Sequence, residues 1–411
     1  MILLKSFTYF AIIIGVTVAQ YSGSSSSSFT SPAPTVSEAS ALAESIATFS
    51  KDFYETIVQE EDGNFVISPL SAQIALSLMY CGAAGQTAAI MNSALDFVND
   101  TQLEVAQQFH GMLKSLQNND DLAIANAIYV ADDYSLHPAF EQVAANDFYS
   151  ELATLNFAES SSAANTINQW VSDETHGKIT NLISPSSLNS DTRAVILNAI
   201  YFHGTWQHQF KKYDTYAQAF NTNCQQNQST QVQMMHQTKT LPYSYNSQLD
   251  AQILELPYQN SNVSMIVILP SDCNGLSQLQ KALVNYDLIQ LSNNLVETYV
   301  DVSLPKFTIN TSINLKTPLS AMGLSNIFSN NADFSGIVAD ETPLKVTSGI
   351  QKAIIEVNES GTVAAAATGF GMAAADVMVF HPLPIQFNAN HPFVFVLKSS
   401  NDILFIGQNV Q

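Results

Sequence analysis

The stretch NFVISPLSAQIALSLMYCGAAGQT, Asn64 to Thr87, carries the reading of the whole chain. It comes just after a turn signal at Asp62-Gly63. Ser68-Pro69 predicts a helix start, because a seryl oxygen can cap the first orphan N–H groups and proline fits the first turn. Leu70, Ile74, Leu78 and Cys81 then recur along one face, and Gly82 is a fitting stop. Upstream, Leu42, Ile46, Phe49, Phe53 and Ile57 are spaced four, three, four and four apart, which predicts another amphipathic helix.

Downstream, Leu122–Val130 and Ala194–Phe202 are long apolar runs consistent with buried central strands. Between them Thr166–His176 reads as a helix carrying Ile167, Trp170 and Val171 and closed by Gly177. The second half is strand-rich, with candidates at Val263–Leu269, Tyr299–Ile309, Phe393–Leu397 and Ile403–Ile406. No linker-like composition or internal repeat interrupts the chain beyond residue 40, so residues 38–411 are expected to form a single α+β domain. The stretch GTVAAAATGFGMAAA, Gly361 to Ala375, stands apart: it is small and uncharged, with neither a helical stripe nor clean alternation.

The 411 residues include 14 Lys+Arg against 35 Asp+Glu, a net charge of −21. That balance excludes nucleic acid as a partner, since phosphate contacts need clustered basic side chains, and it equally disfavours anionic membranes. Apolar content of 46% excludes wholesale disorder. Lys5 precedes an apolar run from Phe7 to Val18 that ends in small residues, the layout of a secretory signal over residues 1–19. A dozen or so residues fall short of the ~20 needed to span a bilayer. Residues 20–37 form a Ser/Pro-rich leader with no means to build a core. The mature chain is therefore expected to be secreted, extracellular and monomeric. Sequons at Asn99, Asn227, Asn262, Asn310 and Asn358 make it a candidate glycoprotein. Of three cysteines, Cys81 reads as buried, while Cys224 and Cys273 sit in turn-like surroundings where pairing is possible but not forced.

Enzyme chemistry finds no support. There is no G-x-S-x-G elbow, no H-E-x-x-H, no phosphate-cradling loop and no dinucleotide fingerprint, and the eight histidines are scattered. Neither a cofactor nor a metal is expected.

The residues themselves then point to a family. Asn64–Thr87 closely resembles the serpin signature, with Asn64, Ser68, Pro69, Ser71, Leu76, Gly82, Ala83, Gly85 and Thr87 in place. The resemblance continues through INQWVSDETHGKITNLI (Ile167–Ile183), VILNAIYFHGTWQHQF (Val195–Phe210), ADFSGI (Ala332–Ile337), KAIIEVNESGTVAAAATG (Lys352–Gly369) and HPFVFVL…ILFIGQNV (His391–Val410). It covers nearly everything from about Glu44 onward. It implies three β-sheets, eight or nine helices and an exposed reactive loop, about residues 359–386. It also implies a suicide mechanism: a protease attacks the loop, forms an acyl-enzyme, and is trapped when the cut loop inserts into the main sheet.

Within that resemblance Glu359, Gly361, Thr362, Ala364, Ala365, Ala366, Ala367 and Thr368 form the hinge. By period two, Thr362, Ala364, Ala366 and Thr368 would face inward, and all are small. Ala365 and Ala367 would face the other side. Val363 departs from the family's acidic residue on that outward face. Counting Glu359 as the seventeenth residue before the cut puts the scissile bond between Ala375 and Asp376, with Met378 and Phe380 as alternatives because this loop is longer than usual. Lys306 and Trp206 match the breach at the loop's entry point, where the resemblance implies an ion pair between Lys306 and Glu359, and Ser68, Ser71 and Asn198 match the shutter, where Gln351 replaces a common histidine. A storage, carrier or matrix serpin is the alternative to an inhibitor. Lys114 is the only Lys or Arg within Ala88–Gln117, which disfavours a heparin-like polyanion as partner.

Target specificity rests on an absence. Trypsin-like pockets bury a carboxylate that must be paired with Lys or Arg, and no Lys or Arg lies between Ala353 and Leu397. Elastase-like, chymotrypsin-like or papain/cathepsin-like enzymes are expected to be held in a gel-stable complex and trypsin to be ignored. A stable trypsin complex would overturn this expectation.

Overall fold

In the computed structural model, helix Pro69–Cys81 lies between two sheets, and this position explains its composition. It packs on strands Leu122–Ala131 and Ala194–Phe202 of one sheet and on Ile403–Asn409 of the other. Every residue from Pro69 to Tyr80 is buried, not only the stripe through Leu70, Ile74 and Leu78. A helix enclosed on all sides must be apolar all round. Ser68 caps it as its spacing predicts, its side chain accepting from Ser71 N–H at 3.2 Å. Cys81, at the exit, remains half-buried, and burial pushes its thiol up to about 12.

The structure describes residues 36–97, 100–116, 121–339, 342–362, 383–399 and 402–411. Eight α-helices and two hydrogen-bonded sheets occur among them. The seven-stranded sheet runs Glu151–Leu155, Leu122–Ala131, Ala194–Phe202, Val346–Asn358, with Phe307–Asn314 along the far side of the last. Its two central strands, Ala194–Phe202 and Val346–Asn358, pair in parallel from Ala194↔Val346 to Tyr201↔Ile354. In the nine-stranded sheet, Gln228–Asn246 pairs with Thr215–Asn223 and Val296–Pro305 over one part and with Ala251–Pro257 over another. That shared strand joins the two smaller sheets implied by the family resemblance into one continuous ladder.

Three element boundaries differ from the sequence expectations. The first helix, Val36–Glu60, starts two residues inside the stretch read as leader. The helix read as Thr166–His176 spans Ser160–Glu174, six residues earlier at its start, because its serine-rich first turn has the composition of a loop. The run read as one strand, Tyr299–Ile309, is two strands in different sheets, Val296–Pro305 and Phe307–Asn314. The chain changes sheet at Lys306, whose N–H donates to Gln233 O at 2.8 Å.

At Gly82 the exit of the buried helix meets the segment around Ile337. A Cβ there would come within 2.3 Å of Ile337 Cγ1 and 2.8 Å of Phe140 Cε2. Gly82→Ala is expected to cost about 1–3 kcal/mol through overpacking, read as a lower urea midpoint at unchanged slope. An unchanged midpoint would show that Ile337 moves aside freely.

Candidate functional site

The change of sheet at Lys306 sets up the hinge. The ammonium of Lys306 reaches Glu359, the residue just after strand Val346–Asn358, with Nζ 2.9 Å from Oε2 and 3.2 Å from Oε1. Beyond Glu359 the chain turns back on itself, with Asn358 Oδ1 accepting from Ser360 N–H at 3.0 Å. Gly361 and Thr362 then pair antiparallel with Asn358 and Val357 on one side and with Thr205 and Gly204 on the other. Gly361 and Thr362 are thus seated between the end of strand Val346–Asn358 and Gly204–Thr205, which follows strand Ala194–Phe202.

Side chains and backbone hold this turn in place. Trp206 Nε1–H donates to Asn358 O at 2.9 Å, Trp206 N–H to Ser360 O at 2.9 Å and Phe210 N–H to Glu359 O at 2.9 Å. The Trp206 ring stacks on Tyr258 at 4.4 Å, and Tyr258 meets Phe202 edge-on at 4.8 Å. The Tyr258 hydroxyl lies 2.5 Å from Thr362 Oγ1, and Thr362 is fully buried. Gly361 permits this approach: with φ at +153°, a Cβ would fall 1.9 Å from Gly204 O. No side chain fits there.

Burial alone would raise the Glu359 carboxyl, but the hydrogen bonds from Lys306 and the Glu359 amide, together with the Lys306 charge, outweigh it and hold the group below the usual range. The carboxylate is 7% exposed. Burial pushes the Tyr258 hydroxyl far upward, so it remains a neutral partner for Thr362.

Further down the seam, Asn126, Asn198 and Gln351 lie side by side on three adjacent strands. Asn198 Nδ2 donates to Asn126 Oδ1 at 2.5 Å and to Ser71 Oγ. Gln351 Nε2 donates to Asn198 Oδ1 at 2.7 Å and to Ser68 O at 2.8 Å, while Gln351 Oε1 accepts from Ser68 N–H at 3.0 Å. Glutamine therefore spans the central seam and ties it to the buried helix, and none of these groups titrates.

Of the residues singled out from the sequence, Lys306, Trp206, Glu359, Gly361 and Thr362 meet at the hinge, and Ser68, Ser71, Asn198 and Gln351 meet at the seam. Val363, Ala364, Ala365, Ala366, Ala367, Thr368, Ala375, Asp376, Met378 and Phe380 lie outside the described residues, as does Asn99. Asn227, Asn262 and Asn310 are exposed. Asn358 is half-buried, with its amide oxygen engaged in the turn. Tyr258 and Asn126 escape a reading of the sequence. Asn126 carries a signal, as the one polar residue within LAIANAIYV; Tyr258 carries none.

The Glu359 contribution to stability has a definite sign. A folded carboxyl held below its unfolded value of about 4.5 stabilises above that pH and loses the effect as pH falls through the folded value. The stability difference between wild type and Glu359→Gln is expected to grow between about pH 3 and 5. In a Lys306→Met background, which lacks the hydrogen bond and charge of the lysine, the same difference is expected to grow less over that range or not at all. Parallel trends in both backgrounds, measured by chemical denaturation, would remove Lys306 as the cause.

A family model described as serpin (serine protease inhibitor) matches residues 44–411. Serine protease inhibitor 42Dd of Drosophila melanogaster is 38% identical over 365 residues, covering 88% of this chain and 95% of the relative. Serpin48 of the insect Tenebrio molitor, described as a highly specific serpin, superposes with a TM-score of 0.83 at 31% identity, covering 90% of this chain and 98% of that one. Human thyroxine-binding globulin complexed with thyroxine gives a TM-score of 0.82 at 25% identity, covering 91% and 99%. With the match running through both the hinge and the seam, this chain belongs to the serpin family.

Proposed function

We propose that this serpin is a secreted suicide-substrate inhibitor of endopeptidases. The nucleophile of the protease, a seryl Oγ or cysteinyl Sγ, attacks the carbonyl carbon before the scissile bond. The C–N bond breaks, the leaving amine takes a proton from the protease's own general acid, and an acyl-enzyme remains. That bond is Ala375–Asp376, or one following Met378 or Phe380. The freed N-terminal arm of the loop then enters the seam between Ala194–Phe202 and Val346–Asn358 before water can release the enzyme.

The observation that carries this reading is the seating of Gly361 and Thr362 between Val357–Asn358 and Gly204–Thr205. It begins an antiparallel strand on both sides. If the inserted loop kept the same register, Ala364 would come opposite Ile355, Ala366 opposite Ala353 and Thr368 between Gln351 and Asn198. Insertion would exchange one parallel ladder for two antiparallel ones, each new hydrogen bond worth roughly 0.5–1.5 kcal/mol. It must also break the Gln351–Asn198 contact, and the hydroxyl of Thr368 arrives where those amides lose each other. The alanines suit a face whose neighbours, Ile355 and Ala353, are fully buried.

Secretion rests on the N-terminal signal pattern and on the Cys224–Cys273 disulfide, which suits an oxidising compartment. A target that is elastase-like, chymotrypsin-like or papain/cathepsin-like rests on the absence of basic residues in the loop. A ligand-carrying role is the second reading, favoured only by the likeness to a thyroxine-binding serpin.

Thr362→Arg places a guanidinium where the side chain is fully buried against Tyr258. The variant is expected to pass from covalent complex to cleaved product by at least about tenfold, because a buried unpaired charge costs several kcal/mol. Incubation of wild type and variant with an elastase, a chymotrypsin and a cathepsin, with denaturing gels and mass spectrometry of the released peptide, reads both partition and bond. No complex from wild type with any of them would favour the carrier reading; equal partition in both proteins would sink the insertion mechanism.

A further inference from the structure

The strand just beyond the reactive loop lies at the edge of its sheet, with Phe387 turned into the core. Among the described residues Ile385–Asn388 is an outer strand, paired in parallel with Val300–Ser303, and Ile385 is 41% exposed. The next three residues are gripped more firmly. Ala389 N–H donates to Ser303 O at 2.9 Å. Asn390 O accepts from Asn221 N–H at 2.7 Å, and His391 Nε2 lies 2.9 Å from Pro270 O. Since a carbonyl only accepts, Nε2 of His391 carries the proton in this contact.

The two outer parts of this grip come from strands of one sheet that do not pair with each other. Asn221 belongs to Thr215–Asn223, which pairs with Gln228–Asn246, whereas Pro270 ends Ser264–Pro270, which pairs with Ala251–Pro257 and Phe393–Lys398. Three residues beyond each of them, Cys224 and Cys273 are joined by a disulfide, with Cα atoms 6.1 Å apart. Cys224 N–H also donates to Asn274 Oδ1 at 3.1 Å. The bridge closes a ring of contacts around residues 390–391, and both half-cystines are only half-buried.

We propose that Cys224, Cys273 and His391 are positioning residues for the C-terminal stem of the reactive loop: the disulfide keeps Asn221 and Pro270 at the separation that seats Asn390 and His391. With the bridge open, the tip of hairpin 215–246 loses its covalent tie, and the stem keeps its short edge ladder and the burial of Phe387 and Ala389. The loop then loses one fixed end, and its presentation to a protease becomes conditional on the oxidation state of this bridge. The consequence for inhibition rests on the function proposed above; the clamp itself does not.

The test uses the full-length mature protein in three forms: oxidised, reduced by dithiothreitol, and Cys224→Ser/Cys273→Ser. Dithiothreitol supplies two electrons and two protons, leaving two cysteine thiols and its own cyclic disulfide. Hydrogen exchange is expected to quicken by about tenfold or more at amides 386–391 in the reduced and double-serine forms, with amides 265–269 unchanged. Reoxidation restores the first form and leaves the second as it was. His391→Gln, which keeps a donor near Pro270, is expected to give a smaller change than His391→Ala. Covalent complex yield falls in step with the exchange. Unchanged exchange at 386–391, with thiol labelling showing the bridge open, overturns the proposal, and so does a uniform increase across all strands. Faster local exchange with no complex from any form supports the clamp while removing the inhibitory reading.

Discussion

Two buried amides facing each other across a strand seam set the terms for the rest of this molecule. Asn198 and Gln351 sit on strands paired in parallel, and their contact is anchored to Ser68 and Ser71 on the enclosed helix. A buried hydrogen bond has a modest net worth, but leaving its partners unsatisfied is costly, so the seam resists partial separation. The closed sheet is therefore protected by a local barrier as well as by its ladder. The helix that carries the seryl groups must be capped, enclosed and apolar on all sides, which is why Asn64–Thr87 is so constrained a stretch.

The hinge lies at the top of the same seam and obeys a different physical logic. Three of its contacts are made to backbone carbonyls of the turn, at Asn358, Glu359 and Ser360, and so fix where the chain reverses whatever side chains those residues carry. Only the glutamate is selected by charge. In a chain with 14 basic against 35 acidic residues, pairing a lysine with a nearly buried carboxylate directs a scarce charge to the point where the sheet would open. Because Lys306 is partly exposed, the pair contributes more to geometry than to stability.

Much of this is legible in the residues. The first helix, the capped second helix, the apolar strands Leu122–Ala131 and Ala194–Phe202 and the last hairpin announce themselves by period, caps and uninterrupted apolar runs. Other elements are hidden for identifiable reasons. The long strand Gln228–Asn246 is largely polar and half exposed, so no alternation marks it, and Pro242 argues against it. Ser160–Ser162 open a helix although serine favours caps and turns. Lys306 resembles the middle of one strand because both flanks have strand composition, and nothing local records that the chain passes from one sheet to another.

The sequence by itself determined the fold class, the family, the acidic surface and the small residues of the loop's first half, since these depend on composition, period and motif order along one chain. Tertiary structure alone decided that Tyr258 receives Thr362, that Asn126 completes the row across the seam, and that Cys224 pairs with Cys273 beside the segment leaving the loop. Each of these joins residues dozens to hundreds of positions apart. Their distance is set by strand register and sheet order, and those emerge only when every strand finds its neighbour at once, through contacts that no local pattern encodes.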